Sequence, residues 1–162
     1  MSSEAFRELE ELADLLIQRG WTIASAESCT GGLVASYLTE LPGSSQWFKM
    51  GFITYSNASK AEILNVPSNL LTRYGPVSEQ VALEMAKQTR LQARTDLAIS
   101  TTGLAGPTGG LPTLPIGVVW FGIASCKYTE AYRVHFQGNR HSIRIQAAQQ
   151  AIIFLLKWIQ TC

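Results

Sequence analysis

Histidine and aspartate are scarce in this sequence, with two of each: His135, His141, Asp14 and Asp96. Neither histidine sits in HExxH or a comparable ligand spacing, so the sequence gives no grounds for a dedicated metal site. With so few acids and bases of these types, a Ser-His-Asp arrangement is poorly supplied. The three cysteines, Cys29, Cys126 and Cys162, are an odd number and form no CxxC pair. This excludes a disulfide framework and a structural zinc site. Charged residues make up 15% of the chain, the net charge is +1, and lysines and arginines form no run or stripe. Nucleic acid as the main partner needs a phosphate-neutralising patch, and none is present. The apolar stretch "AIIFLLKWI" is too short to span a bilayer and is interrupted by Lys157. The opening "MSSEAFRELEEL" is acidic and helical, unlike a secretory signal. The expectation is a soluble, cytoplasmic protein with no membrane partner.

What is present suits one domain over residues 1–162, long enough to bury a sizeable core. Residues 4–19 place Phe6, Leu9, Leu12, Leu15, Leu16 and Ile17 near helical spacing before Gly20. "WTIASAE" reads as a short buried strand, residues 30–40 as a helix, and "WFKMGFITYS" as a strand. Ser56 or Asn57 can cap the helix "ASKAEILN", and "SNLLTRYG" is a further helical turn. Ser78 and Glu79 open "SEQVALEMAKQTRLQAR", with Val81, Met85 and Leu91 assigned to one side. "TDLAISTTG" is the third strand, "GVVWFGIAS" and "EAYRVHF" form a hairpin, and "NRHSIRIQAAQQAIIFLLKWI" is a long amphipathic helix. Alternating strands and helices imply an α/β fold, a three-layer α/β/α sandwich, and the hairpin makes its sheet mixed. The apolar last helix, with Trp47 and Trp158, is a candidate face for a homo-oligomer.

In an open α/β sheet, ligands gather beyond the carboxyl ends of the strands. Three segments follow strand ends: "ESCTGG", "TYSNASK" and "TTGLAGPTGG". In the first, Ser28 is either a helix cap or a nucleophile. The amides of Cys29, Thr30, Gly31 and Gly32 are candidate donors to an anion or oxyanion. It does not match GxSxG. Cys29 is a rival nucleophile, since a helix start lowers a thiol's pKa, although a lone cysteine here is more often packed core. Lys60, in the second segment, is the better-placed base. A lysine ordinarily titrates near 10.4, so it needs burial to act near neutral pH. Tyr55, five residues earlier, is a candidate to relay the proton or orient the amine. The third segment is neither GxGxxG nor a Walker motif, but its glycines permit close approach to a phosphate or ribose.

Together "AESCTGG", "PGSS", "GFITYSNASK", "GPVSE", "TTGLAGPTGG…PIGVVW" and "FQGNRHSIR", in this order, resemble the C-terminal domain of the CinA (competence/damage-inducible) family over nearly the whole chain. The chain resembles stand-alone members, which are similar to nicotinamide-nucleotide amidases. The resemblance implies hydrolysis of the carboxamide of nicotinamide mononucleotide to nicotinate mononucleotide and ammonia. It implies Ser28 as nucleophile, Lys60 as base and Tyr55 as an assisting group. Cys29, Thr30, Gly31 and Gly32, with Thr102, Gly103, Ala105 and Gly106 of the glycine-rich segment, would contact the pyridine nucleotide, and Arg140 or Arg144 its phosphate. No metal or organic cofactor is implied. Two departures from the family pattern are Asn139, where an acidic residue is usual, and "LPTLP" at residues 111–115, where a charged stretch is usual. The alternatives are a non-catalytic nucleotide-binding module of the same fold, and a hydrolase using Cys29.

Overall fold

The computed structural model describes residues 1–161. Cys162 lies outside the described residues. Helix α1 (Ser3–Arg19) begins where the Ser2 hydroxyl accepts from the Ala5 amide, and ends at Gly20 in a left-handed conformation. Strand β1 (Ile23–Glu27) is buried throughout, as a strand covered on both faces must be. Helix α2 (Leu33–Leu38) is shorter than the sequence pattern suggests. It starts late because Gly31 and Gly32 both take positive φ, so the chain enters the helix only at Leu33. Strand β2 (Phe48–Ile53) ends before Thr54 and Tyr55, which leave the ladder.

Three helices follow, α3 (Asn57–Leu64), α4 (Ser68–Tyr74) and α5 (Glu79–Ala93), of which α5 lies across the sheet and α3 and α4 pack on α5. Of the two candidate caps for α3, Ser56 serves, in a reciprocal pair with Ser59. Strands β3 (Leu97–Gly103), β4 (Val118–Ala124) and β5 (Thr129–His135) follow, and α6 (Arg140–Gln160) closes the chain. The sheet order is β2-β1-β3-β4-β5. Strand β1 runs parallel to β2 and β3, whereas β4 is antiparallel to β3 and β5. The mixed α/β architecture is the one the pattern implies. Because β1 has β2 on one side and β3 on the other, chain direction switches around its carboxyl end, where a ligand crevice forms.

One face of the sheet packs on α1, α2 and α6 through Leu9, Leu16, Phe121, Ile152 and Leu155. The other packs on α3 and α5 through Leu64, Val81 and Met85. Leu91 is half exposed rather than aligned with Val81 and Met85. At about 100° per residue it falls about 80° from Val81 around the helix. Ile17 is likewise exposed. Trp47 and Trp158, assigned to a self-association face, are instead 2% and 6% exposed and belong to the core. The buried positions of α6 face α1 and α2 within the chain, so these tryptophans offer no surface to a second copy. Among the described residues no helix is long and apolar enough to cross a membrane.

Helix α5 lies so close to the sheet that the Ser100 hydroxyl donates to the Ala82 carbonyl at 2.6 Å. A Cβ on Gly122 would collide with that same Ala82 carbonyl, which is backbone and cannot swing aside. Gly122→Ala is therefore expected to lower stability by about 2–3 kcal/mol in urea unfolding. An unchanged midpoint would show that α5 can lift from β4 without cost.

Candidate active site

The end of β1 is fixed on both sides. The Thr54 amide donates to the Glu27 carbonyl at 2.8 Å, and the Ser28 amide donates to the Thr101 carbonyl at 2.9 Å. Ser28 thus hangs between the carboxyl ends of β2 and β3, 8% exposed. Its turn is closed by the Gly31 amide donating to the Ser28 carbonyl at 3.1 Å. From α3, the Lys60 amine reaches Ser28 Oγ at 3.0 Å and the Thr54 carbonyl at 2.9 Å. Lys60 is 1% exposed, and among the described residues it forms no salt bridge. Burial, which penalises the charged amine, lowers its pKa to about 8. A serine hydroxyl and a lysine poised to lose its proton near neutral pH therefore share one contact.

The rival nucleophile fares differently. Burial pushes the Cys29 thiol up to about 12, which keeps it protonated at neutral pH. Cys29 is a packed core side chain.

Tyr55 does not reach the Lys60 amine. It is exposed, and its hydroxyl accepts from Arg140 Nη2 at 2.7 Å. Arg140 Nη1 donates to the Gly106 carbonyl at 2.8 Å, so this arginine bridges the second and third rim segments. A cleft of about 300 Å³ runs from Ser28, Cys29 and Lys60 past Gly103, Ala105 and Gly106 to Tyr55 and Arg140. Its size is at the lower end of the range for small-molecule sites. Thr102 also lines it, but its hydroxyl is committed to the Pro76 carbonyl at 2.6 Å, which ties the segment before α5 to β3. A larger cavity, about 560 Å³, lies at the opposite end of the sheet among Trp21, Asp96, Cys126 and Tyr128. Its Cys126 thiol and Lys127 amine share no hydrogen bond among the described residues, and it is remote from the strand ends that carry Ser28 and Lys60, so the smaller cleft is the candidate site.

Thr30, Gly31 and Gly32 do not line the cleft. The reason is Glu27, which sequence reasoning passed over. Its side chain is 1% exposed. Oε2 accepts from the Thr30 hydroxyl at 2.7 Å, the Gly32 amide at 2.9 Å and the Val34 amide at 3.1 Å. Oε1 accepts from the Ala35 amide at 2.8 Å. The first turn of α2 is thus occupied by an internal carboxylate, and the Gly31 amide is spent on the turn. Of the four amides proposed as anion donors, those of Gly31 and Gly32 are taken and those of Cys29 and Thr30 have no hydrogen-bond partner among the described residues. An acidic residue immediately before a strand-to-helix turn is the signal that could have revealed this.

Arg144, a candidate phosphate contact, is also engaged elsewhere. Its Nε donates to the Cys29 carbonyl at 3.1 Å and its Nη2 to the Thr30 carbonyl at 2.9 Å. Asn139 accepts from the Ser142 amide at 2.9 Å and caps α6, a role that suits asparagine as well as an acid.

A family model, the CinA C-terminal domain, matches residues 7–159. The chain belongs to the CinA C-terminal domain family. This CinA domain is 46% identical, over 91% of its length, to "Nicotinamide-nucleotide amidohydrolase PncC" of Enterobacter agglomerans, of which it covers 92%. It is 43% identical to the protein of the same name in Escherichia coli, over 93% of this chain and 92% of that one. It is also 45% identical to a "CinA-like protein" of Syntrophomonas wolfei over 94% of this chain, but spans only 36% of that longer protein. Among solved structures, a CinA superfamily protein from Klebsiella pneumoniae superposes with a TM-score of 0.93 at 32% identity, covering 98% of this chain and 99% of that one.

Two outcomes are expected from this geometry. The folded pKa of Lys60 lies below its ordinary 10.5, so the native state holds fewer protons than the unfolded one between about 8 and 10.5. The stability cost of burying the amine is therefore present at pH 7 and lifts as pH rises through that window. Lys60→Met is expected to be at least as stable as the parent at pH 7, with the difference moving against the variant by about 3 kcal/mol by pH 10.5. Denaturant melts across pH would show it, and a pH-independent difference would mean the amine is charged in the fold. Iodoacetamide at pH 7 is expected to label the exposed Cys126 and leave Cys29 unmodified, as read by mass spectrometry. Rapid labelling of Cys29 would reopen the thiol mechanism.

Proposed function

We propose that this chain is a nicotinamide-nucleotide amidase working through Ser28 and Lys60. The observation that carries the reading is the 3.0 Å contact between a buried amine and a serine hydroxyl at the strand-end cleft. A lysine with a pKa of about 8 has about a tenth of its amines neutral at pH 7, where an unperturbed lysine has far fewer. The neutral amine accepts the Ser28 proton as Oγ attacks the carboxamide carbon of nicotinamide mononucleotide. The Thr54 carbonyl receives one amine hydrogen and so aims the nitrogen lone pair at the serine. Lys60, now protonated, returns its proton to the departing ammonia. Water then hydrolyses the acyl-serine to nicotinate mononucleotide, with Lys60 again as base.

The unpaired Cys29 amide of the Ser28 turn supplies a hydrogen bond to the oxyanion of each tetrahedral intermediate. In this reading Tyr55 and Arg140 act at the mouth, Arg140 on the phosphate and Tyr55 on the ribose or pyridine ring. Gly103, Ala105 and Gly106 form the wall beside the nucleotide. The same proposal takes the substrate as a free cytoplasmic nucleotide. The relatives named PncC support the activity, and this chain covers 92% of the length of each. A module that only bound nucleotides would gain nothing from burying a lysine against a serine.

The test is ammonia release from nicotinamide mononucleotide. Ser28→Ala and Lys60→Ala are each expected to lower kcat at least about a thousandfold. The parent's kcat/KM is expected to rise with pH and level off above about 8, as the Lys60 amine loses its proton. Turnover that survives Ser28→Ala would end this mechanism.

A further inference from the structure

The Ser28 turn carries two adjacent amides, of Cys29 and Thr30, without a partner among the described residues. A buried unpaired amide costs about 1–3 kcal/mol, so two in succession call for an explanation. Their orientation is set by the carbonyls of the same peptide units, because in a trans peptide the C=O and the following N–H point opposite ways. The Ser28 carbonyl is held by the Gly31 amide, which turns the Cys29 N–H the other way. The Cys29 carbonyl is held by Arg144 Nε, which turns the Thr30 N–H away from α6. Arg144 Nη2 holds the Thr30 carbonyl as well, so one guanidinium grips two successive peptides.

The approach depends on Gly31: a Cβ there would lie 3.1 Å from Arg144 Nη2, and its φ of +58° is one that side chains disfavour. Arg144 forms no salt bridge among the described residues, so its charge is met only by these carbonyl dipoles and falls on the turn. Cys29 lines the cleft and Thr30 is buried directly behind it.

We propose that Arg144 is a positioning residue for amide hydrolysis: by holding the Thr30 carbonyl on α6 it keeps the Gly31 amide of the same peptide on the Ser28 carbonyl, so that the Cys29 amide stays available to the oxyanion formed on Ser28. If the Cys29 peptide rotated, it would present a carbonyl oxygen where a donor is required. Glu27 makes this grip necessary, because it removes the remaining helix-start amides of α2 from service. Arg144 therefore acts on the transition state through the backbone and leaves the nucleotide's phosphate to Arg140. The inference rests on the amidase reading.

The experiment compares the parent with Arg144→Lys and Arg144→Ala on nicotinamide mononucleotide and on its dephosphorylated riboside. Thermal melts establish that the variants fold. A lysine keeps the charge but cannot fork across two carbonyls, so it is the stricter probe. The expected result is a fall in kcat of about 10- to 100-fold on both substrates, with KM within about threefold, and partial recovery of Arg144→Ala by free guanidinium. This is somewhat less than the loss on deleting an oxyanion donor outright. A rise in KM confined to the phosphorylated substrate, with kcat kept, would overturn the proposal in favour of a phosphate contact. Unchanged kinetics on both would overturn it too. If the parent itself turns over neither substrate, the amidase reading fails separately. Acylation of Ser28 by a β-lactone, followed by mass spectrometry, then decides: slower labelling in Arg144→Lys supports the positioning role, and equal labelling rejects it.

Discussion

The site depends on keeping one amine out of water. Lys60 reaches Ser28 because only three residues separate α3 from β2 and α3 buries this one side chain of its otherwise solvent-facing first turn. The cost of burying a lysine is offset by two hydrogen bonds, one to the Thr54 carbonyl and one to Ser28 Oγ. Among the described residues no carboxylate pairs with it, which separates this arrangement from a structural ion pair: an acid beside Lys60 would hold the amine charged. The remaining architecture serves that contact. The bonds from Thr54 and to Thr101 hold Ser28 at a constant distance from the base, and Ser56 and Ser59 anchor the helix that carries it.

Glu27 and Arg144 impose a division of labour on the neighbouring turn. Helix starts commonly bind anions, and α2 would do so at the mouth of the cleft if its donors were open. An internal carboxylate occupies them, and the Thr101 hydroxyl, bonded to that of Thr30 at 2.7 Å, ties the assembly to β3. The turn is rigid because a negative group inside α2 and a positive group from α6 hold its two sides. What remains open is a short stretch of backbone next to Ser28.

Much of this was legible in the residues. The short run of small and apolar residues in β1, the punctuation by Gly20, Gly31 and Gly32, and the serine caps before α3 and α5 all follow from local chemistry, and they place Ser28 and Lys60 at one rim. Tyr55 was harder, since leaving the strand at Thr54 turns its ring outward to Arg140 instead of toward the amine. Glu27 was passed over although its partners are near in sequence, and Arg144 was read as a phosphate contact because its backbone partners are brought to it only by folding: it lies 115 positions from Cys29. Trp47 and Trp158 misled because large aromatic residues beside polar ones read as surface, whereas the packing of α1, α2 and α6 covers both.

The bridge from Arg140 to Tyr55 and Gly106 has a consequence for selectivity. A guest that takes the guanidinium must first dislodge a phenol and a carbonyl, so a single weak acceptor gains little from the exchange. Only a group offering two strong oxygens in the right plane comes out ahead. In the amidase reading, this exchange favours charged nucleotides over small neutral amides at the Arg140 end of the cleft.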